Sequence, residues 1–169
     1  MKLILVNKKN RTIGYANKDK CHQGKGLLHR AFTAFIFNNK GQVLIQKRSN
    51  IKKLWPLFWE ASFSSHPRKG EKNLTAVKKR LKHELGPACQ LKHVGRFYYQ
   101  VPYKNIGSEH ELCDVFVGSR CRGEIKPNPK EVVSYKWVGV GELKKDVVKN
   151  HKKYAPWLKP ALKYASSKK

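Results

Sequence analysis

Acidic residues are scarce in this 169-residue chain: 11 Asp and Glu stand against 37 Lys and Arg, a formal net charge of +26. So lopsided a balance argues for an anionic ligand or partner, phosphates first among them. Long apolar runs are missing as well. No stretch approaches the roughly 18 uncharged apolar residues of a membrane span. The opening Met1-Lys2-Leu3-Ile4-Leu5-Val6 is too short for the apolar core of a signal peptide, so a soluble cytoplasmic protein is expected. Cysteine occurs only at Cys21, Cys89, Cys113 and Cys121, with no CxxC pair, which excludes a disulfide scaffold or a zinc knuckle and leaves four thiols expected to be reduced. Repeats, low-complexity blocks and Pro/Gly linkers are absent apart from a basic tail at Ser166-Ser167-Lys168-Lys169, so residues 1–169 are expected to form a single domain.

What is present is enough to fold. Hydrophobic residues make up 40% of the chain and aromatics 11%, sufficient apolar surface to offset chain entropy. Arg30 to Phe37 is β-rich, Asn38-Asn39-Lys40-Gly41 is a turn signal, and Gln42 to Arg48 resumes the alternation of a hairpin partner. Trp59 to Ser64 reads as another strand, followed by a Pro- and Gly-interrupted loop, Ser65 to Gly70. Leu74, Val77, Leu81 and Leu85 recur at helical spacing until Gly86-Pro87 stops them. Val94 to Tyr103, Leu112 to Gly118 and Val132 to Val138 read as strands, and Gly141 to Lys149 and Ala155 to Tyr164 as helices. Strands and helices alternate too irregularly for a doubly wound sheet. The expected class is α+β, a compact mixed-sheet sandwich flanked by helices.

Because acids are few, their places are informative. Glu109 and Glu111 lie two apart beside a strand, so both carboxylates point to one side of an extended chain, either as a solvated edge or as a ligand pair. Glu84 falls on the apolar face of its helix, where a carboxylate needs a cation; Arg80, one turn earlier, is the ordinary candidate. His22, His29 and His66 complete a set of imidazoles and carboxylates suited to a divalent metal, although spacing alone does not bring them together. Trp55, Trp59, Tyr98, Tyr99 and Trp157 are either core or the wall of a pocket for a short hydrocarbon. Arg48, Lys52, Lys53 and Arg80 are either solvated charges or the holders of its phosphate.

Taken in order, these residues resemble the type 1 isopentenyl-diphosphate isomerases of the Nudix superfamily over nearly the whole chain. The resemblance rests on Lys18-x3-His22-x6-His29, on Arg48-x3-Lys52-Lys53-x-Trp55-Pro56-x2-Trp59 and on Ser64-Ser65-His66-Pro67-x2-Gly70-Glu71. It continues through Arg80-x3-Glu84-Leu85-Gly86, Phe97-x-Tyr99, Glu109-His110-Glu111-Leu112-Cys113 and Pro156-Trp157. The Nudix hydrolase box is eroded: of its clustered carboxylates only Glu84 remains, too few anionic oxygens for multi-metal diphosphate hydrolysis.

The resemblance implies a Nudix-like fold and a metal, Mn²⁺, Zn²⁺ or Mg²⁺, held by His22, His29, His66, Glu109 and Glu111. It also implies Mg²⁺ between Glu84, the carbonyl at position 64 and the substrate diphosphate. Lys18, Arg48, Lys52 and Arg80 would bind diphosphate oxygens, Glu111 and Tyr99 would handle a proton at the alkene, and Trp157 would cover the carbocation. The implied reaction converts isopentenyl to dimethylallyl diphosphate, the implied partner is that small prenyl diphosphate, and a monomer with no membrane is expected. The family's catalytic cysteine is replaced by Ser64, a far weaker acid than a thiol, so a slow isomerase is the first expectation. The alternatives are another cation-forming rearrangement or cyclisation of a prenyl diphosphate, and a non-catalytic prenyl-diphosphate binder. A basic nucleic-acid-binding scaffold is a further alternative, although the lysines are spread along the chain and no RNA-binding motif occurs.

Overall fold

The computed structural model describes residues 1–165; the basic tail expected at 166–169 lies outside the described residues. Nine strands and four helices occur in the order β1 (Lys2–Val6), β2 (Thr12–Asn17), α1 (Lys18–His22), β3 (His29–Ile36), β4 (Val43–Arg48), β5 (Trp59–Glu60), β6 (Phe63–Ser65), α2 (Asn73–Leu85), β7 (Ala88–Tyr103), β8 (Gly107–Arg122), β9 (Val132–Val138), α3 (Val140–Lys149) and α4 (Leu158–Ala161). The class is α+β, as expected. The larger, mixed sheet runs β2-β1-β3-β8-β7 with β6 also on β3, and the smaller one runs β5-β4-β9. Apolar clusters fill the space on both sides of β3 and β4, one closed by α3 and α4 and the other by α2. Among the described residues no helix is long and apolar enough to cross a membrane.

Several local expectations change. The proposed hairpin of β3 with β4 is replaced by a switch between sheets: the two strands share only the Phe37↔Val43 bridge. The reason is that β3 has no free edge, since β8 pairs along its whole length while β1 and β6 take the other side. The turn itself forms as read, with Asn38 Oδ1 accepting the N–H groups of Lys40 and Gln42 at 3.0 Å each. The strand read over Trp59 to Ser64 is two short strands in different sheets, because the chain crosses from β4 to β3 between them. The helix read from Ala155 to Tyr164 is only the short α4. The hairpin of β1 and β2 went unread.

Helix α2 ends where Gly86, at φ +93°, caps it with bonds from its N–H to the carbonyls of Leu81 and Lys82. Val77, Leu81 and Leu85 face the core, but Leu74 is exposed and does not belong to that face. The thiol expectation is also corrected, because Cys89 and Cys121 form a disulfide while Cys21 and Cys113 remain free and buried. The two half-cystines are 32 residues apart and meet only because β7 folds back on β8, near a register shift between Ala88 and Gln90.

Candidate active site

Strand register assembles the site. β3 runs parallel to β8 and places His29 beside Glu111, while β7 runs antiparallel to β8 and places Tyr99 on its other side. Alternation along β8 then sends Glu109 and Glu111 to the same face. β6 pairs with β3 so that Ser64 lies opposite Thr33, and the chain delivers His66 one residue past the strand. His22 arrives at the end of α1. Gly107 permits that approach: a Cβ there would stand 2.4 Å from the His22 carbonyl oxygen.

The three imidazole rings pack with centroids 4.8 to 5.2 Å apart. His66 Nε2 lies 2.6 Å from Glu111 Oε1, and His22 Nε2 lies 3.0 Å from Glu109 Oε2. The Tyr99 hydroxyl donates to Glu111 Oε2 at 2.5 Å. Backbone carbonyls set two of the rings, since Nδ1 of His22 is 2.7 Å from the Lys18 oxygen and Nδ1 of His29 is 2.7 Å from that of Leu27. Carbonyl-bound Nδ1–H groups leave both Nε2 lone pairs facing inward, the usual second-shell arrangement for a metal-ligating histidine.

One donor atom from each of His22, His29, His66, Glu109 and Glu111 lies within 4.8 Å of every other. His29 Nε2 is buried without a hydrogen-bond partner, and Glu109 Oε2 is buried with the His22 Nε2 lone pair, not an N–H, at 3.0 Å, a costly state unless something else satisfies them. Five converging nitrogen and oxygen donors with orphaned lone pairs fit a divalent cation.

Electrostatics follow from burial and proximity. Burial, then the neighbouring His29, His22 and Lys18, pushes His66 well below the usual histidine range. Burial would lift the Glu111 carboxyl, but His29, Glu109 and Tyr99 outweigh it and hold it below its ordinary value. Burial, with the Glu111 and Glu109 charges, drives the Tyr99 phenol well above its own.

These groups line a cavity of about 450 Å³ that also receives Lys18, Arg48, Lys52, Arg80, Ser64 and Trp157. Ser64 Oγ is 2.9 Å from Thr33 Oγ1. Trp157 is buried, edge-on to Trp55 at 5.4 Å and tilted against Tyr99 at 6.1 Å. Burial, then repulsion from Lys52, lowers the Lys18 ammonium, as expected where cations crowd together. Lys53 lines the cavity at its exposed mouth, paired there with Asp19 at 2.8 Å, whereas Trp55, Trp59 and Tyr98 lie outside the lining.

The Nudix domain family matches residues 27–158. Isopentenyl-diphosphate Delta-isomerase 1 of Photorhabdus laumondii is 37% identical over 159 residues, 93% of this chain and 90% of that protein. Isopentenyl-diphosphate Delta-isomerase 2 of the same organism is 41% identical over 157 residues, 93% and 88% of the two chains. The chain belongs to the isopentenyl-diphosphate isomerases of the Nudix family. Among solved structures, DR0079 of Deinococcus radiodurans has a similar fold at a TM-score of 0.78, with 18% identity and coverage of 96% of this chain and 98% of that one.

In this isomerase-family chain Glu84 is not a lining residue. Its carboxylate is buried behind Arg80, receiving the Arg80 Nε–H and, at 3.0 Å, Nε2 of Gln46. Arg48 lines the cavity with much of its guanidinium already engaged: Nε donates to the Trp55 carbonyl at 2.9 Å, Nη2 to that of Leu54 at 3.0 Å and Nη1 to Glu60 at 2.9 Å. Two acids that pair with the cavity's cations went unread in the sequence. Glu60 is buried between Arg48 and Trp157, and Glu131 pairs with Lys52 and, at 2.7 Å, with Arg80. In a chain with 11 acids, each one lacking an assignment was the available signal.

Proposed function

We propose that this chain isomerises isopentenyl diphosphate to dimethylallyl diphosphate, slowly because Ser64 stands where the family carries cysteine. The observation that carries the reading is the Tyr99–Glu111 pair, set by strand register at the junction of the His/Glu cluster and an aromatic-walled, cation-rimmed cavity. A monomer acting on a small prenyl diphosphate in the cytoplasm goes with this reading.

Lys18, Lys52, Arg80 and the free edge of Arg48 bind the diphosphate and keep it from recombining with a cation. That leaves the short hydrocarbon against Trp157 and Tyr99. A divalent cation held by His22, His29, His66, Glu109 and Glu111, Zn²⁺ or Mn²⁺ more readily than Mg²⁺ given three imidazoles, supplies fixed charge that orients both carboxylates. Glu84 aligns Arg80 toward the Mg²⁺-bearing diphosphate.

Glu111 takes up a proton from solvent through the Tyr99 hydroxyl on Oε2 and delivers it to the terminal methylene, which leaves a tertiary cation and restores the carboxylate. An alkene is a very weak base, so the acid must be held dry and in contact. The indole of Trp157 and the phenol of Tyr99 stabilise the cation by about 0.5–2 kcal/mol through their ring faces and exclude water. The second proton leaves the carbon next to the diphosphate-bearing carbon, and Ser64 Oγ passes it to water or to the diphosphate. Its hydroxyl is a poor acceptor beside a thiolate, and loss of one positioned acid–base group costs about 10²–10⁴ in rate.

The test is turnover of isopentenyl diphosphate by the metal-loaded protein, with product resolved from substrate. Dimethylallyl diphosphate formed by the native chain and not by Glu111→Gln supports the reading. Tight substrate binding without product from either chain turns it to the binder.

A further inference from the structure

Glu60 and Gln46 form a buried bridge between the two ends of the cavity. The Glu60 carboxylate accepts the Trp157 indole N–H at 3.1 Å on Oε2 and the Arg48 guanidinium at 2.9 Å on Oε1. Arg48 also sits 5.2 Å from the Trp157 ring centroid, so one carboxylate fixes the indole and the cation stacked on it. On the other side, Gln46 Nε2 donates at 3.2 Å to Glu60 and at 3.0 Å to Glu84, which holds Arg80. Gln46, Glu60 and Glu84 are each no more than 1% exposed. The amide is therefore what lies between two like charges in a dry interior, and Gln46 Oε1 is left buried without a partner to allow it.

The backbone supports the same connection. β4 carries Gln46 and pairs it with Glu60 on β5, and the Trp59 carbonyl next door accepts the Ala155 N–H at 2.8 Å, two residues before Trp157.

We infer that Glu60 is a positioning residue that holds Trp157 against the reacting hydrocarbon, and that Gln46 couples its placement to the anion-binding end through Glu84 and Arg80. Binding of a diphosphate at Arg80 then registers at the indole. A charged acceptor on the indole N–H also enriches the ring facing the carbocation. The catalytic part of the inference rests on the isomerase reading; the coupling does not.

The experiment is an indole ¹H–¹⁵N correlation spectrum of the full chain, whose 4 tryptophans are distinguished by loss of one signal in Trp157→Phe. The Trp157 indole proton is expected to move upfield in Glu60→Gln. Inorganic diphosphate with Mg²⁺ is expected to shift it in the native chain and to shift it less than half as far in Gln46→Met. In turnover, Glu60→Gln and Trp157→Phe are each expected to lower kcat about tenfold with KM within about threefold, and the double variant to be no slower than Trp157→Phe alone. An unmoved Trp157 signal in Glu60→Gln, a diphosphate response retained in Gln46→Met, or additive kcat losses would overturn the inference. If Glu60→Gln does not fold, the Gln46→Met spectra decide. Spectral coupling with no turnover in the native chain would sink the isomerase reading and leave the bridge standing.

Discussion

Tyr99 and Glu111 face each other across the β7–β8 ladder, the phenol donating to the carboxylate at 2.5 Å. The same carboxylate meets His66 through its other oxygen, so one side chain joins the proton-handling pair to the metal-binding cluster. Glu111→Gln should abolish turnover, and Tyr99→Phe should lower kcat by about 10²-fold with a smaller effect on KM. Steady-state kinetics on the two variants, with circular dichroism to verify folding, checks both.

Ser64→Cys should raise kcat by about 10²-fold, because a thiolate accepts a proton far more readily than an alcohol. Ser64→Ala should fall below the native chain. A cysteine variant no faster than native would mean that the second proton leaves by another route.

Removal of the metal should be visible without any substrate. A cation present at about 100 times its dissociation constant adds about 2.7 kcal/mol to the folded state. For a chain of this size that is roughly 5–10 °C in Tm. A chelator should therefore lower Tm by that amount, and His66→Ala should both lose the bound metal by elemental analysis and become insensitive to the chelator.

Glu131 makes stability depend on acid. Burial alone would raise its carboxyl, but Lys52 and Arg80 hold it down at about 2 against an ordinary 4.5. Its contribution is therefore complete above about pH 4.5 and is lost as the pH falls through about 2. Glu131→Gln should be less stable than native at pH 7 by about 1–2 kcal/mol, with the gap closing between pH 4.5 and 2 in denaturant titrations.

Reduction of Cys89–Cys121 should cost about 2–4 kcal/mol of stability through the loop it closes. It should leave kcat unchanged, because the bond lies at the open end of the hairpin, about 30 Å along β8 from Glu111. Thermal melts and kinetics with and without reductant separate the two effects.

The sequence made the helix of Val77, Leu81 and Leu85 legible because periodicity and the Gly86 stop are local signals. Glu109 and Glu111 were legible as a pair because alternation puts them on one face. Their meeting with His22, His29 and His66 was not, since it depends on which strands pair; only the resemblance to the isomerases joined them. The same gap hid the disulfide, which needs the β7–β8 register, and the switch of β4 to the second sheet, which follows from β3 having both edges taken. Glu60 escaped notice because a lone acid beside a tryptophan has no local pattern; its role exists only where β5 lies against the Trp157 segment.

The central claim is that Glu111 carries a proton to an alkene and a second proton departs from a neighbouring carbon. Incubating the metal-loaded protein with isopentenyl diphosphate in deuterated water, and following label by NMR, tests it most directly. The account predicts deuterium in the methyl group of dimethylallyl diphosphate formed from the methylene and, through the reverse reaction, at the carbon next to the diphosphate-bearing carbon, faster in Ser64→Cys and absent in Glu111→Gln. Bound substrate that takes up no label at either carbon, in the native chain and in Ser64→Cys alike, would contradict it.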